Sequence, residues 1–162
     1  MLKYSNTMVV FREIPDEVTL AINITGCPCH CKGCHSPFLW EDTGTELTFS
    51  ELDRLINGNS GISCVCFMGG DADPSYINEL AGYIMENSEY GNISIGWYSG
   101  RDEISDKIDL FRFDYIKIGR YVEKKGGLDK ETTNQRLYKV ICEDKDGYCL
   151  HDITPMFWRK KA

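Results

Sequence analysis

From residue 18 to residue 118 the chain alternates between the hydrophobic period of a strand and that of a helix, and this rhythm limits its fold more sharply than any other feature. Val18, Leu20, Ile22 and Ile24 interleave with Thr19, Ala21, Asn23 and Thr25, the period-2 pattern of a strand with one buried face. Residues 8–12 read as a partner strand, with Pro15-Asp16 at the turn between them. Thr48 followed by Glu51 forms a capping box that opens a helix with Leu52, Leu55 and Ile56 inward and Asn57-Gly58 at its end. Residues 62–68 are a short apolar run, as in a strand buried on both faces, and stop at Gly69-Gly70-Asp71. Asp73 as N-cap and Pro74 at the first helical position start a second helix that carries Ile77, Leu80, Ala81 and Ile84. Residues 93–98 predict a strand, 104–110 a weak helix and 115–118 a further strand ending at Gly119. Such alternation calls for parallel strands joined by crossover helices.

A closed barrel of eight such units takes ~250 residues. The 162 residues present leave room for about half of one, so an α/β fold with an open, partial barrel follows, as a single domain over residues 1–162. Residues 120–134 are polar and glycine-bearing and predict a mobile loop, and residues 136–143 and 148–153 flank Asp146-Gly147 as a C-terminal β-hairpin.

A net charge of −7 repels a phosphate backbone, and the closing Arg159-Lys160-Lys161 reads as a solvated end, so nucleic acid is not expected as a partner. The opening residues lack the apolar core of a signal peptide, and no segment approaches the ~18 apolar residues of a membrane helix. The expected location is cytoplasmic, with no membrane association. Eight cysteines in that compartment point to metal or redox chemistry rather than to a disulfide framework.

Three of them, Cys27, Cys31 and Cys34, stand as Cys-x3-Cys-x2-Cys directly after the first parallel strand, in a stretch whose Gly26, Pro28, Gly33 and Pro37 preclude a continuous helix. Thiolates are the usual ligands of iron–sulfur clusters, and three ligands for four irons leave one iron open to a small chelating molecule. Zinc remains an alternative on spacing alone, with Cys29 or His35 as a fourth ligand, although zinc sites favour paired Cys-x2-Cys units. Cys64 and Cys66 lie on an apolar strand and read as packing residues. Cys142 and Cys149 could face each other across the hairpin, as reduced thiols in this compartment.

The run Gly26-Cys27-Pro28-Cys29-His30-Cys31-Lys32-Gly33-Cys34-His35-Ser36 resembles the radical S-adenosylmethionine signature. It is most similar to that of the anaerobic ribonucleoside-triphosphate reductase-activating proteins, in which glycine precedes the third cysteine and an aromatic residue or histidine follows it. Gly33 and His35 stand at those places, while Cys29 is an additional thiol of unassigned role. Gly69-Gly70-Asp71, in isolation an ordinary strand-to-helix turn, lies one strand and one helix after the cysteine loop and there resembles the family's glycine motif, whose backbone and acid contact the amino group of the methionine moiety. Trp97-Tyr98-Ser99-Gly100 resembles a segment near the nucleoside, though core aromatics fit it nearly as well, and Thr133-Asn134-Gln135-Arg136 resembles the subfamily's Ser/Thr-Asn-Gln-Arg stretch.

The resemblance covers most of residues 18–140. It implies a radical S-adenosylmethionine barrel, a [4Fe-4S] cluster on Cys27, Cys31 and Cys34, and S-adenosyl-L-methionine positioned by Gly33, Cys34, His35, Gly69, Gly70, Asp71 and Tyr98. It further implies an activase that takes an electron from a flavodoxin-like donor and raises a glycyl radical on the large subunit of anaerobic ribonucleoside-triphosphate reductase. Two other functions stay open: activation of another glycyl-radical enzyme such as pyruvate formate-lyase, and a non-catalytic zinc-binding module.

Overall fold

The computed structural model describes residues 1–143 and 147–159; Asp146, Lys160, Lys161 and the side chain of Cys142 lie outside the described residues, and with them the turn, basic-tip and cross-hairpin thiol readings. Eight strands form one open sheet in the order β3-β1-β2-β4-β5-β6-β7-β8. They are β1 (Lys3–Val10), β2 (Thr19–Ile24), β3 (Thr45–Glu46), β4 (Cys64–Met68), β5 (Ser94–Tyr98), β6 (Tyr115–Ile118), β7 (Arg136–Glu143) and β8 (Gly147–Asp152), with helices α1 (Phe49–Asn57) and α2 (Pro74–Glu86). β2, β4, β5 and β6 are parallel in that sequential order. β1 and β3 on one side, and β7 and β8 on the other, continue the sheet antiparallel.

The strand alternation sorts residues between two faces. Leu20, Ile22, Ile24, Val65, Phe67, Ile95, Trp97 and Ile116 form one apolar cluster with the inward residues of both helices, so α1 and α2 cover the same face. The alternate residues Cys64, Cys66 and Tyr115 pack on the opposite face with Ile14 and Leu137. Among the described residues no α-helix packs on that side; Leu128, Ile153 and Phe157, from loops and a final 3-10 turn (Thr154–Trp158), pack there. Cys64 and Cys66 are therefore fully buried packing residues, and burial pushes the Cys64 thiol up to about 12.

Both helix starts follow their side-chain signals. The Glu51 N–H donates to Thr48 Oγ1 at 3.0 Å, and the Tyr76 N–H donates to Asp73 Oδ1 at 3.1 Å with Pro74 in the first turn. The Glu51 carboxylate, however, is taken by the Tyr4 hydroxyl and by Arg54 (2.6 Å), so only half of a capping box forms.

Three departures have local causes. Residues 104–110 form no helix: Ser105 and Asp109 take up backbone N–H groups of Lys107 and Phe111, and only a 3-10 turn (Leu110–Arg112) develops. β1 begins at Lys3 rather than Met8, because Lys3 and Tyr4 pair with β3 and Tyr4, Asn6 and Thr7 with β2 despite the polar stretch, with a register shift between Tyr4 and Asn6. β3 itself, two residues long, is too short to show a period. Among the described residues no helix is long and apolar enough to cross a membrane.

Candidate metal centre

The C-terminal ends of β2, β4, β5 and β6 lie side by side, and the chemistry-bearing residues follow those ends. After β2, the buried Thr25 ties its hydroxyl to the Thr43 carbonyl at 2.6 Å. The Gly26 and Cys27 N–H groups then donate to the carbonyls of Glu41 (3.0 Å) and Leu39 (2.9 Å), so the cysteine loop leaves the sheet and returns upon its own base. Within it the Cys34 N–H donates to the Cys31 carbonyl at 3.1 Å, and the Ser36 N–H points at Cys34 Sγ at 3.4 Å. Gly26, His30 and Gly33 take left-handed backbone conformations, with φ of 73°, 44° and 76°. His30 stacks on Trp40 with ring centroids 4.7 Å apart.

Cys27, Cys31 and Cys34 are free thiols, each partly exposed. Cys29 differs from them. Its Sγ lies 3.8 Å from Asp71 Oδ2, and burial, then the Asp71 charge, pushes its thiol up to about 12, which keeps it protonated. The additional thiol is thus a contact between the cysteine loop and the β4 end.

Asp71 is 8% exposed and its carboxylate is fully engaged. Oδ1 accepts from Ser99 Oγ at 2.5 Å, and Oδ2 accepts from the Gly100 N–H at 2.7 Å. The preceding glycines have backbone and packing reasons for being glycine: Gly70, at φ 99°, would place a Cβ 2.6 Å from Ile77 Cδ1, and Gly69, at φ 107°, would place one 3.3 Å from the Ile24 carbonyl oxygen, while its own carbonyl accepts from the Trp97 indole at 2.7 Å. Tyr98 lies on the face away from the helices, where its hydroxyl donates to the Glu13 carbonyl. The loop after β6 closes on the cysteine loop. A Cβ at Gly33 would lie 2.9 Å from Glu123 Cδ, and Tyr121 meets His35 edge-on at 5.2 Å. The structure therefore gathers Gly33, Cys34 and His35 with this loop, and Asp71 with Cys29; Tyr98 stands apart from both groups.

Two structural features beside the cysteine loop escaped the sequence reading. Lys117, 7% exposed on β6, donates to the carbonyls of Ser99 (3.0 Å) and Gly119 (2.8 Å), and burial pulls its ammonium down to about 8 against the opposing pull of Asp71 and Cys31. The available signal was a lysine placed out of phase with Ile116 and Ile118 on a buried strand. The second is the work of the Thr-Asn-Gln run: Thr133 donates to the Gly126 carbonyl (3.0 Å), Asn134 to Arg120 (3.1 Å) and Gln135 to Gly119 (3.4 Å), which clasps the loop facing the cysteines.

Between these loops lies a cleft of about 790 Å³ lined by Cys29, Cys31, Lys32, Gly100, Arg101 and Tyr121, among others. A larger cleft of about 950 Å³, bordered by Phe11, Glu17, Tyr98 and Phe157 among others, has no thiol in its lining. Among the described residues no three His, Cys, Asp or Glu side chains converge on one metal ion. The donor set of three free thiols on one glycine-hinged loop, with no carboxylate among them, fits a multi-iron cluster, which takes each thiolate at a separate iron.

The model of the 4Fe-4S single cluster domain family matches residues 18–137. No curated protein and no solved structure matches the chain.

Proposed function

This chain belongs to the 4Fe-4S single cluster domain family, and from that premise we propose that it is a radical S-adenosylmethionine enzyme in which Cys27, Cys31 and Cys34 hold the cluster and leave one iron free. One observation carries the reading: the loop after β2 carries four free, partly exposed cysteines, of which Cys29 is the one whose Sγ lies beside Asp71 Oδ2, at 3.8 Å, leaving Cys27, Cys31 and Cys34 as the ligand set. Bound there, a [4Fe-4S] cluster would supply a chelation point for the amino-acid part of S-adenosyl-L-methionine and, once reduced by an external donor, one electron to break its sulfonium–adenosyl bond, which would give methionine and a 5′-deoxyadenosyl radical.

The chain's own residues prepare that event. Gly33 gives the loop the left-handed turn between its second and third ligands and leaves space for Glu123, and the Ser36 N–H supports the Cys34 sulfur. Gly69 and Gly70 shape the β4 end beside the cleft, and Asp71 fixes that end to Ser99 and Gly100. His35, beside the third cysteine, belongs to the cofactor-binding set that the sequence motifs suggest, whereas Tyr98, which the same motifs suggest, lies on the other cleft with its hydroxyl on the Glu13 carbonyl. We read the open sheet as a partial barrel, whose missing wall admits a loop of a protein substrate.

The finer assignment is that of an activase for anaerobic ribonucleoside-triphosphate reductase, supplied with electrons by a flavodoxin-like protein. It rests on Gly33, His35 and the Thr133-Asn134-Gln135-Arg136 run. Hydrogen abstraction from a backbone glycine requires no general acid or base, and none is assigned. The test is anaerobic reconstitution with iron and sulfide, followed by dithionite and S-adenosyl-L-methionine. Formation of 5′-deoxyadenosine is expected, followed by a glycyl electron paramagnetic resonance signal when the reductase large subunit is added. Colourless protein holding one tight zinc and no acid-labile sulfide would overturn the proposal, and a signal only with pyruvate formate-lyase would redirect the partner assignment.

A further inference from the structure

Lys117 presents a physical problem that the proposed cofactor resolves. Its side chain is buried, yet the groups it touches are all neutral: the Ser99 carbonyl at 3.0 Å, the Gly119 carbonyl at 2.8 Å and the face of Tyr98, whose centroid is 5.9 Å from Nζ. Among the described residues it has no ion-pair partner. A buried ammonium satisfied only by dipoles is costly unless an anion lies nearby. Asp71 is linked to it through Ser99, which receives the Lys117 N–H at its carbonyl and donates its hydroxyl to Asp71. Asp71 Oδ2 in turn lies 3.8 Å from Cys29 Sγ, between Cys27 and Cys31 on the cysteine loop, and Cys29 and Cys31 line the same cleft as Gly100.

We infer that Lys117 is the buried counter-charge of the metal centre: its ammonium, pinned by the ends of β5 and β6, offsets the negative charge that Cys27, Cys31 and Cys34 carry with a cluster and favours the one-electron-reduced form. The inference rests on the proposed cluster site and goes beyond it by assigning a positioning and tuning residue that touches neither a ligand nor a substrate. The electron comes from a low-potential one-electron donor, dithionite or a reduced flavodoxin-like protein, which is oxidised as the cluster is reduced. A fixed positive charge near the cluster stabilises the product of that transfer more than its starting state.

The test compares wild-type protein with Lys117→Gln and Lys117→Met after anaerobic reconstitution, using iron and sulfide counts and a redox titration followed by electron paramagnetic resonance. Glutamine keeps a donor for the two carbonyls and removes the charge; methionine removes both. At a fixed donor potential both variants are expected to show a reduced-to-oxidised ratio about tenfold below wild type, which is about 59 mV for one electron. An unchanged midpoint in both variants overturns the inference. So does a wild-type midpoint in Lys117→Gln with a lowered one in Lys117→Met, because that pattern assigns the effect to hydrogen bonding alone. If Lys117→Met fails to fold, Lys117→Gln against wild type decides the matter. A protein that keeps its cluster but forms no 5′-deoxyadenosine contradicts the proposed activity and leaves the midpoint comparison standing.

Discussion

The helix-covered face of the sheet and the rim at the strand ends are made by the same short parallel strands, yet they are held together by different physics. On the covered face, Ile22, Phe67, Trp97, Leu52 and Leu80 are each at most 1% exposed and interlock through apolar surface, the Trp97 indole N–H being the one polar group among them. Their contribution scales with the apolar area removed from water and is spread over many contacts. At the rim, order comes from single hydrogen bonds and from backbone conformations that favour glycine: Asp71 to Ser99 and Gly100, Lys117 to Ser99 and Gly119, and the left-handed turns at Gly26 and Gly33. Stability is therefore concentrated on one side and chemistry on the other, so mutations in the two regions should separate in what they damage.

The sharpest separation is expected at the thiols. Cys31→Ala should abolish retention of iron and acid-labile sulfide while moving the urea midpoint of the metal-free protein little, because the side chain is partly exposed. Cys66→Ala, at a fully buried site on the uncovered face, should show the reverse, with the cluster retained and about 1 kcal/mol of stability lost. Metal analysis and denaturation of the two variants check this, and equal cluster content in both would erase the distinction.

Phe67→Ala, one residue from Cys66 but on the helix side, should cost about 3–5 kcal/mol, read as a lowered denaturation midpoint. A loss below about 1 kcal/mol would show that the covered face is not the stabilising one. Asp71→Ala crosses the boundary between the regions. It leaves the Ser99 hydroxyl and the Gly100 N–H without their acceptor, at a cost of about 2 kcal/mol, and it should weaken S-adenosyl-L-methionine binding while sparing cluster content. Equilibrium binding to the reconstituted protein measures the second effect, and unchanged affinity would remove Asp71 from the site.

The same division explains what could be read from the sequence. α1 and α2 and the parallel strands were legible because area-driven packing writes itself as a hydrophobic period, and because Thr48, Asp73 and Pro74 mark helix starts by local chemistry. The cysteine loop was legible because its cysteines are close in sequence. Residues 104–110 misled because an apolar period appears there, while Ser105 and Asp109 spend the backbone donors locally. The rest of the rim was hidden for a topological reason. Cys29 meets Asp71 across 42 residues, and Lys117 meets Ser99 across 18, so neither pairing leaves a mark in any short window. The Thr133-Asn134-Gln135 clasp was visible as a motif, but its targets at Gly119, Arg120 and Gly126 became apparent only in the folded chain.

The central claim, three protein thiolates on a four-iron cluster with one iron left for a small molecule, is tested most directly by Mössbauer spectroscopy of protein reconstituted with ⁵⁷Fe, with and without S-adenosyl-L-methionine. The expected result is a four-iron spectrum in which one iron alone changes its parameters when the compound is added. Four irons indifferent to it, or a metal centre without iron, would contradict the account.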